Sequence, residues 1–284
     1  MKDSWGRPVT SMRIAVTQRC NLKCFYCHSE GELPSRKEMT VNQIEALARV
    51  ASSLGIKKTK LTGGEPLLRD DIASIVSVIS PWMEDVSMTT NGTFLSEKAC
   101  DLARAGLNRV NISIDSLNEQ TYQTITGAAL LPQILEGLQA AVENNLLPVK
   151  INVVVSHYNV HEIPDFIDFL KDGMILQLIE MINSPEYISL QPIEEDLAAR
   201  ALNIEQRSMH KRNKYFLPQE VEIVRSMHNT HFCKNCTRVR VTSDGKLKPC
   251  LLRNDNLVPV SFTDDTSIKE AFQLCVRNRE PYWK

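Results

Sequence analysis

No apolar run in these 284 residues approaches the ~18 that a helix needs to cross a bilayer. The opening Met1-Lys2-Asp3-Ser4-Trp5 also lacks the hydrophobic segment of a secretory leader, so a cytoplasmic protein is expected. Net charge is missing too: 33 Lys and Arg stand against 34 Asp and Glu, leaving −1. Nothing global therefore draws the chain to nucleic acid or to a membrane surface, and any anion site must be local. Repeats and low-complexity tracts are absent. What remains is a globular composition, 43% hydrophobic and 24% charged, in a chain long enough to bury about three quarters of its unfolded surface.

Cysteine is present, but not as a disulfide framework. That pattern belongs to short secreted chains, whereas clustered thiols in an intracellular protein more often bind metal. Six of the eight cysteines fall in two clusters, and Cys100 and Cys275 stand alone with no role assigned. The first cluster is Cys20, Cys24 and Cys27, spaced C-x3-C-x2-C directly after the apolar run Met12 to Val16. Three thiols so close to a strand end can hold three corners of an iron-sulfur cube and leave the fourth iron open to another ligand. Structural zinc is disfavoured here, because it needs four closed ligands and His28 is too near Cys27 to complete a tetrahedron. The second cluster is Cys233, Cys236 and Cys250. Its spacing alone leaves a zinc ribbon completed by His231 or His228 as open as an iron-sulfur site.

Between the clusters the chain alternates. Thr40 reads as a cap for a helix whose apolar positions run from Val41 to Leu54 and stop at Gly55. Short apolar strands follow at 58–61, 86–89, 110–114, 149–155 and 175–179, separated by helical stretches at 70–79, 96–105, 132–144 and 161–171. With the first strand these make six βα units, hence an α/β fold expected as a parallel sheet curled into a partial (β/α)6, TIM-like barrel. Polar residues collect where the strands end: the first cysteine loop, Thr62-Gly63-Gly64-Glu65-Pro66, Thr89 to Gly92, then Ser113 and Asp115. Such loops share one mouth. From about Ser184 the alternation gives way to a charged, helix-prone stretch, in which Lys211 to Lys214 reads as a solvated face. The expected division is 1–183 for the barrel and 184–284 for an extension carrying the second cluster.

The first cysteine loop, with Tyr26 before its third thiol, and the Gly63-Gly64-Glu65-Pro66 loop resemble the two motifs of the radical S-adenosylmethionine superfamily. Adding Cys233, Cys236, Thr237-Arg238-Val239-Arg240 and Cys250, the chain from Arg13 to Cys250 resembles the GTP 3',8-cyclases of molybdenum cofactor biosynthesis. The resemblance implies a lyase that uses two 4Fe-4S clusters and S-adenosylmethionine to convert GTP to (8S)-3',8-cyclo-7,8-dihydro-GTP. Cys20, Cys24 and Cys27 would hold the S-adenosylmethionine cluster, and Cys233, Cys236 and Cys250 a substrate-binding cluster. Tyr26, Gly64, Ser113 and Ile182 would contact S-adenosylmethionine, with Glu65 complementing its ammonium group. Arg13, Lys60, Thr89, Lys150, Arg238 and Arg240 would contact GTP, the two last being counted with the first three cysteines as catalytic.

The implied partners are GTP, an external electron donor, a downstream cyclic pyranopterin monophosphate synthase and a second copy in a homodimer; nucleic acid and membrane are excluded. Three positions depart from the family pattern. Lys60 replaces an arginine, Ile182 (beside Met181) replaces a methionine, and the sequence ends Glu280-Pro281-Tyr282-Trp283-Lys284 where many members carry Gly-Gly. Two other readings stay open: a radical enzyme acting on a peptide, and a zinc-stabilised binding module.

Overall fold

The computed structural model describes residues 1–182, 184–207, 212–225 and 229–282. The chain runs β1 (Ser11–Ala15), α1 (Val41–Ser53), β2 (Lys58–Thr62), α2 (Ile72–Ile79), β3 (Asp85–Thr90), α3 (Leu95–Arg104), β4 (Arg109–Ser113), α4 (Glu119–Thr126), α5 (Leu131–Glu143), β5 (Val149–Val155), α6 (Ile163–Phe169) and β6 (Met174–Glu180). It continues through α7 (Gln191–Arg200), β7 (Asn203–Gln206), β8 (Asn213–Phe216), β9 (Glu220–Val224), α8 (Thr230–Lys234), β10 (Arg238–Val241), β11 (Lys246–Lys248), β12 (Val258–Pro259) and α9 (Asp265–Arg277). The six expected units are all there. Helix α1 begins at Thr40, whose hydroxyl accepts from Gln43 N while the Gln43 side chain accepts from Thr40 N. It ends before Gly55, at φ +83°, where the left-handed backbone is free of Cβ strain.

Among the described residues the strands form one sheet in the order β12-β11-β10-β1-β2-β3-β4-β5-β6-β9-β8-β7. The six consecutive parallel strands gain a parallel neighbour at each side, β10 against β1 and β9 against β6. Both additions come from beyond residue 184. The stretch expected to be helix-prone there is one helix, α7, followed by the antiparallel strands β7, β8 and β9. Tertiary pairing overrides local propensity, because Tyr215, Val221 and Ile223 bury their side chains only in the sheet. Helix α4 was not expected. It is a short turn of chain held by Asn118, which caps the Gln120 and Thr121 N–H groups, and by left-handed Gly127.

The strands have two unlike faces. Met12, Ile14, Leu61, Val86, Met88, Val110, Ile112, Ile151, Val153, Leu176, Leu178, Val239 and Val241 are all buried in the hydrophobic core, and each stabilises the fold by roughly 1.5–3 kcal/mol. The residues between them are Arg13, Lys60, Ser87, Thr89, Arg109, Asn111, Lys150, Asn152, Gln177, Arg238 and Arg240. Since a strand alternates its side chains with period two, these lie on the opposite face. The register puts them side by side: Arg13 pairs with both Lys60 and Arg240, Asn111 with Lys150, and Asn152 with Gln177. A parallel sheet buried on both sides reads as continuous apolar strands, so this polar face marks a chamber.

Candidate active site

The first cysteine loop leaves β1 and is braced by the loop after β2. Gly64 N donates to Thr17 O (2.8 Å) and Glu65 N to Arg19 O (2.7 Å). A Cβ on Gly63 would stand 2.2 Å from Thr17 O, and one on Gly64 2.2 Å from Arg19 O. Both glycines therefore allow two backbones to meet, a nearer reason for them than the expected approach of a ligand. The expectation for Glu65 is corrected outright. Its carboxylate is fully buried and accepts from Leu67 N, Thr90 Oγ1 and Asn91 N at 2.7–2.9 Å, so it staples this loop to the one after β3 rather than facing an ammonium group. Burial pushes Glu65 up to about 7, against the pull of those three donors.

Cys20 and Cys27 are exposed and Cys24 is half-buried; none of the described cysteines is in a disulfide. Burial and then the Asp115 charge push the Cys24 thiol up to about 12, and burial also raises Cys20. Tyr26 donates its hydroxyl to Asp115, a buried carboxylate that also accepts from Val154 N at 2.9 Å. Burial pushes Asp115 up to about 6. Tyr26 and Cys27 line a cavity of about 470 Å³ together with Phe25, Ile182 and Leu251. Ile182 reaches this cavity, whereas its neighbour Met181 is buried in the core. Ser113 ends β4 half-buried.

Around the second loop the charges reverse. Cys233 lies in α8, whose N-cap Asn229 accepts from Phe232 N; Cys236 precedes β10 and Cys250 follows β11, and all three thiols are half-buried. Burial alone would raise the Cys236 thiol, but the Arg240 charge, the Arg238 N–H and Arg279 together hold it below its ordinary value. Arg238 and Arg240 sit on the chamber face of β10. Burial, then the neighbouring Arg13 and Arg240 charges, bring Arg238 down to about 9, and burial lowers Arg240 as well. Lys60 is lowered by burial and by Arg13 and Arg238, and donates to Asn111 Oδ1 at 2.7 Å. Cations packed closely enough to weaken one another make a place where an arriving polyanion is strongly bound.

Two carboxylates missed in the sequence temper this field. Glu30 accepts from Arg13 Nη1 (3.2 Å) and Thr62 Oγ1 (3.0 Å); burial would raise it, but Arg13 and Arg240 hold it down at about 2. Glu222 accepts from Lys150 Nζ (2.6 Å), Gln177 Nε2 (2.8 Å) and Arg207 Nη1 (2.9 Å). Lys150 thus reaches the chamber already paired. Polar residues recurring on alternate strand positions, such as Asn111, Asn152, Gln177 and Glu222, were the signal that could have located this lining. Arg13 Nε, Thr89 Oγ1, Asn152 Oδ1 and Arg240 Nε are buried there without a hydrogen-bond partner, which suits a ligand-binding cavity.

The two loops also touch. Lys248 donates to Gly31 O, four residues beyond Cys27, and to Asn254 Oδ1 at 2.7 Å, four beyond Cys250. Of the solvated run at 211–214, Arg212 is half-buried with its Nε lacking a partner, and Lys214 pairs with Glu220. That correction follows from β8 joining the sheet. Asn183 at the expected boundary, Lys211, His228, Trp283 and Lys284 lie outside the described residues. Among the described residues no single helix is long and apolar enough to cross a membrane. No three His, Cys, Asp or Glu side chains among them gather as one metal ion needs, and His231, the other zinc candidate, is exposed. Thiols at separate corners of a cube need no such convergence.

Residues 14–170 match the Radical SAM superfamily and residues 165–284 match Molybdenum Cofactor Synthesis C. The chain is 49% identical to a protein of Thermococcus kodakarensis named "Probable GTP 3',8-cyclase", over 99% of each chain, and 48% identical to one of Pyrococcus abyssi with the same name, again over 99% of each. A third so named, from Methanocaldococcus jannaschii, is 42% identical over 100% of this chain and 99% of its own. Among solved structures, Streptococcus suis SuiB superposes with a TM-score of 0.69 at 14% identity, covering 95% of this chain and 66% of that one. A histidine-tagged anSMEcpe with bound AdoMet gives 0.67 at 17%, covering 94% and 80%. These last two likenesses concern the fold alone.

Proposed function

Because the chain belongs to the GTP 3',8-cyclase family of the radical S-adenosylmethionine superfamily, we propose how its residues divide that reaction between the two cysteine loops. The enzyme converts GTP to (8S)-3',8-cyclo-7,8-dihydro-GTP in the first step of molybdenum cofactor biosynthesis. A 4Fe-4S cluster bound with S-adenosylmethionine supplies the single electron and the hydrogen-abstracting radical. Cys20, Cys24 and Cys27 hold it.

The observation that carries the division is the opposite charge around the two loops. The first has the Asp115 carboxylate beside Cys24, the sign that suits a cofactor whose sulfonium and ammonium are positive. The second has Arg238, Arg240 and Arg279 around Cys236, the sign that suits both thiolate ligands and a triphosphate. Cys233, Cys236 and Cys250 therefore hold a second 4Fe-4S cluster on the substrate side.

Tyr26, anchored by Asp115, and Ile182 line the S-adenosylmethionine side of the cavity, with Gly64 and Ser113 at adjacent strand ends. Arg13, Lys60, Arg238 and Arg240 bind the phosphates, Thr89 offers its unpartnered hydroxyl, and Lys150 acts through its pair with Glu222. The sheet walls the chamber and keeps bulk water from reactive species. Residues 1–183 then make the radical and bring Arg13, Lys60, Thr89 and Lys150 to the substrate, while 184–284 add Arg238, Arg240 and the second cysteine set. The reaction runs in the cytoplasm, served by an external electron donor and followed by a cyclic pyranopterin monophosphate synthase; a homodimer is part of the same proposal. A peptide substrate is less well supported, since a peptide backbone brings no charge to match these cations.

The test is anaerobic incubation of reconstituted protein with reductant, S-adenosylmethionine and GTP. 5'-Deoxyadenosine and the cyclised nucleotide should appear together. Cleavage of S-adenosylmethionine that is indifferent to GTP would sink the assignment of residues to substrate.

A further inference from the structure

The beginning and the end of the described chain meet under the second cysteine loop. Asp3 has a fully buried carboxylate side chain, which pairs with Arg7 Nε at 2.7 Å and Arg279 Nη1 at 3.2 Å through the same oxygen. Its other oxygen accepts from Trp5 N and Arg7 N at 3.0 and 2.9 Å. Each guanidinium donates to a cysteine carbonyl, Arg7 Nη1 to Cys233 O (2.8 Å) and Arg279 Nη2 to Cys236 O (2.5 Å), while Arg279 Nε and Nη1 are buried without a hydrogen-bond partner, so that Arg279 meets Asp3 through charge alone. Arg279 is only 1% exposed and Arg7 6%.

Burying one carboxylate between two guanidiniums is costly, and apolar packing would usually stabilise a fold as well or better. What apolar residues could not do is reach the backbone of both cysteines of the Cys233-Lys234-Asn235-Cys236 turn. We infer that Asp3, Arg7 and Arg279 are positioning residues that clamp this turn in the shape a second iron-sulfur cluster requires. The inference rests on the two-cluster reading above. The clamp fixes the spacing of two ligands before any iron arrives. The first loop is braced by ion pairs as well, Arg19 with Glu38 and buried Arg69 with Asp71 and Glu38, but there the Arg69 N–H groups go to Val16 O and Met39 O, outside the cysteine turn.

Two full-length backgrounds separate the loops: Cys20→Ala/Cys24→Ala/Cys27→Ala, retaining only the second thiol set, and Cys233→Ala/Cys236→Ala/Cys250→Ala, retaining only the first. Into each go Arg279→Lys, which keeps the charge but lacks the fork to reach Asp3 and Cys236 O together, and Asp3→Asn, which keeps the shape. After anaerobic reconstitution with ferrous iron and sulfide, iron is counted and the reduced protein is examined by electron paramagnetic resonance. In the first background about four iron per chain should bind, and either substitution should weaken retention about tenfold and alter the spectrum. In the second background neither should change iron content or spectrum. Equal loss in both backgrounds, or no loss in the first, overturns the clamp. If the first background binds no iron even with the clamp intact, the two-cluster reading has failed and the clamp with it.

Discussion

The two cysteine loops carry the same number of thiols and differ in almost everything around them. Cys24 lies beside Asp115 and has its thiol pushed up to about 12, while Cys236 lies beside Arg240 and has its thiol held below the ordinary value. The thiols are common to both, so the difference lies in the charge each loop presents. A carboxylate neighbourhood welcomes a cation and a guanidinium neighbourhood an anion. Geometry differs as well: the first loop is set by close backbone approach at Gly63 and Gly64 and by Arg69, paired with Asp71, on Val16 O, the second by a buried ion triad that reaches two cysteine carbonyls.

The comparison breaks most visibly if charge is removed from the second loop. Arg238→Ala/Arg240→Ala should weaken GTP binding about 10³-fold, since each truncation removes a buried charged contact of about 2 kcal/mol or more. S-adenosylmethionine binding, measured by equilibrium dialysis without oxygen, should stay within about twofold. Parallel loss of both ligands would mean that the two neighbourhoods are not independent.

A smaller effect concerns Glu30, which sits between the loops. Its folded pKa of about 2 lies below its ordinary value of 4.5, so its pairing stabilises the fold fully above pH 4.5 and ever less as pH falls toward 2. The shift is equivalent to roughly 3 kcal/mol. Glu30→Gln should therefore unfold more easily than the parent at pH 7, with the gap closing as denaturant midpoints are followed downward from pH 5. A gap that widens on acidification would contradict the Arg13 pairing.

The smallest effect should come from the first loop. Asp115→Asn keeps an acceptor for the Tyr26 hydroxyl and removes one charge, so S-adenosylmethionine affinity should fall only about tenfold while GTP affinity is unchanged. Calorimetric titration of both ligands reads this directly. A loss confined to GTP would reverse the assignment of the two sites.

Much of the barrel could be read from the sequence because its signals are local. Thr40 and Gly55 bound α1 as capping rules require, and the strand runs coincide with β1 to β6 to within a residue or so. The cysteine spacings likewise needed no tertiary information. What escaped depended on partners distant in the chain: β9 and β10 acquire their place only by pairing with β6 and β1, and Glu222 only by meeting Lys150 over the intervening strand β6. Glu65 misled for the same reason, since two of its three donors, Thr90 Oγ1 and Asn91 N, lie in a segment that its own sequence neighbourhood does not reveal. The alternation Arg238-Val239-Arg240-Val241 was legible throughout, and its meaning as one face of a chamber becomes clear only when repeated strand after strand.

That alternation separates two kinds of inheritance. The positions facing the helices need only remain apolar and of suitable volume for the sheet to fold, while the intervening ones can change polarity and charge with little effect on that packing. Substrate preference can thus drift at one set of positions while the architecture is conserved by the other. A sheet of this kind superposes on SuiB with only 14% of residues in common, because the packing asks of its positions only apolarity and volume.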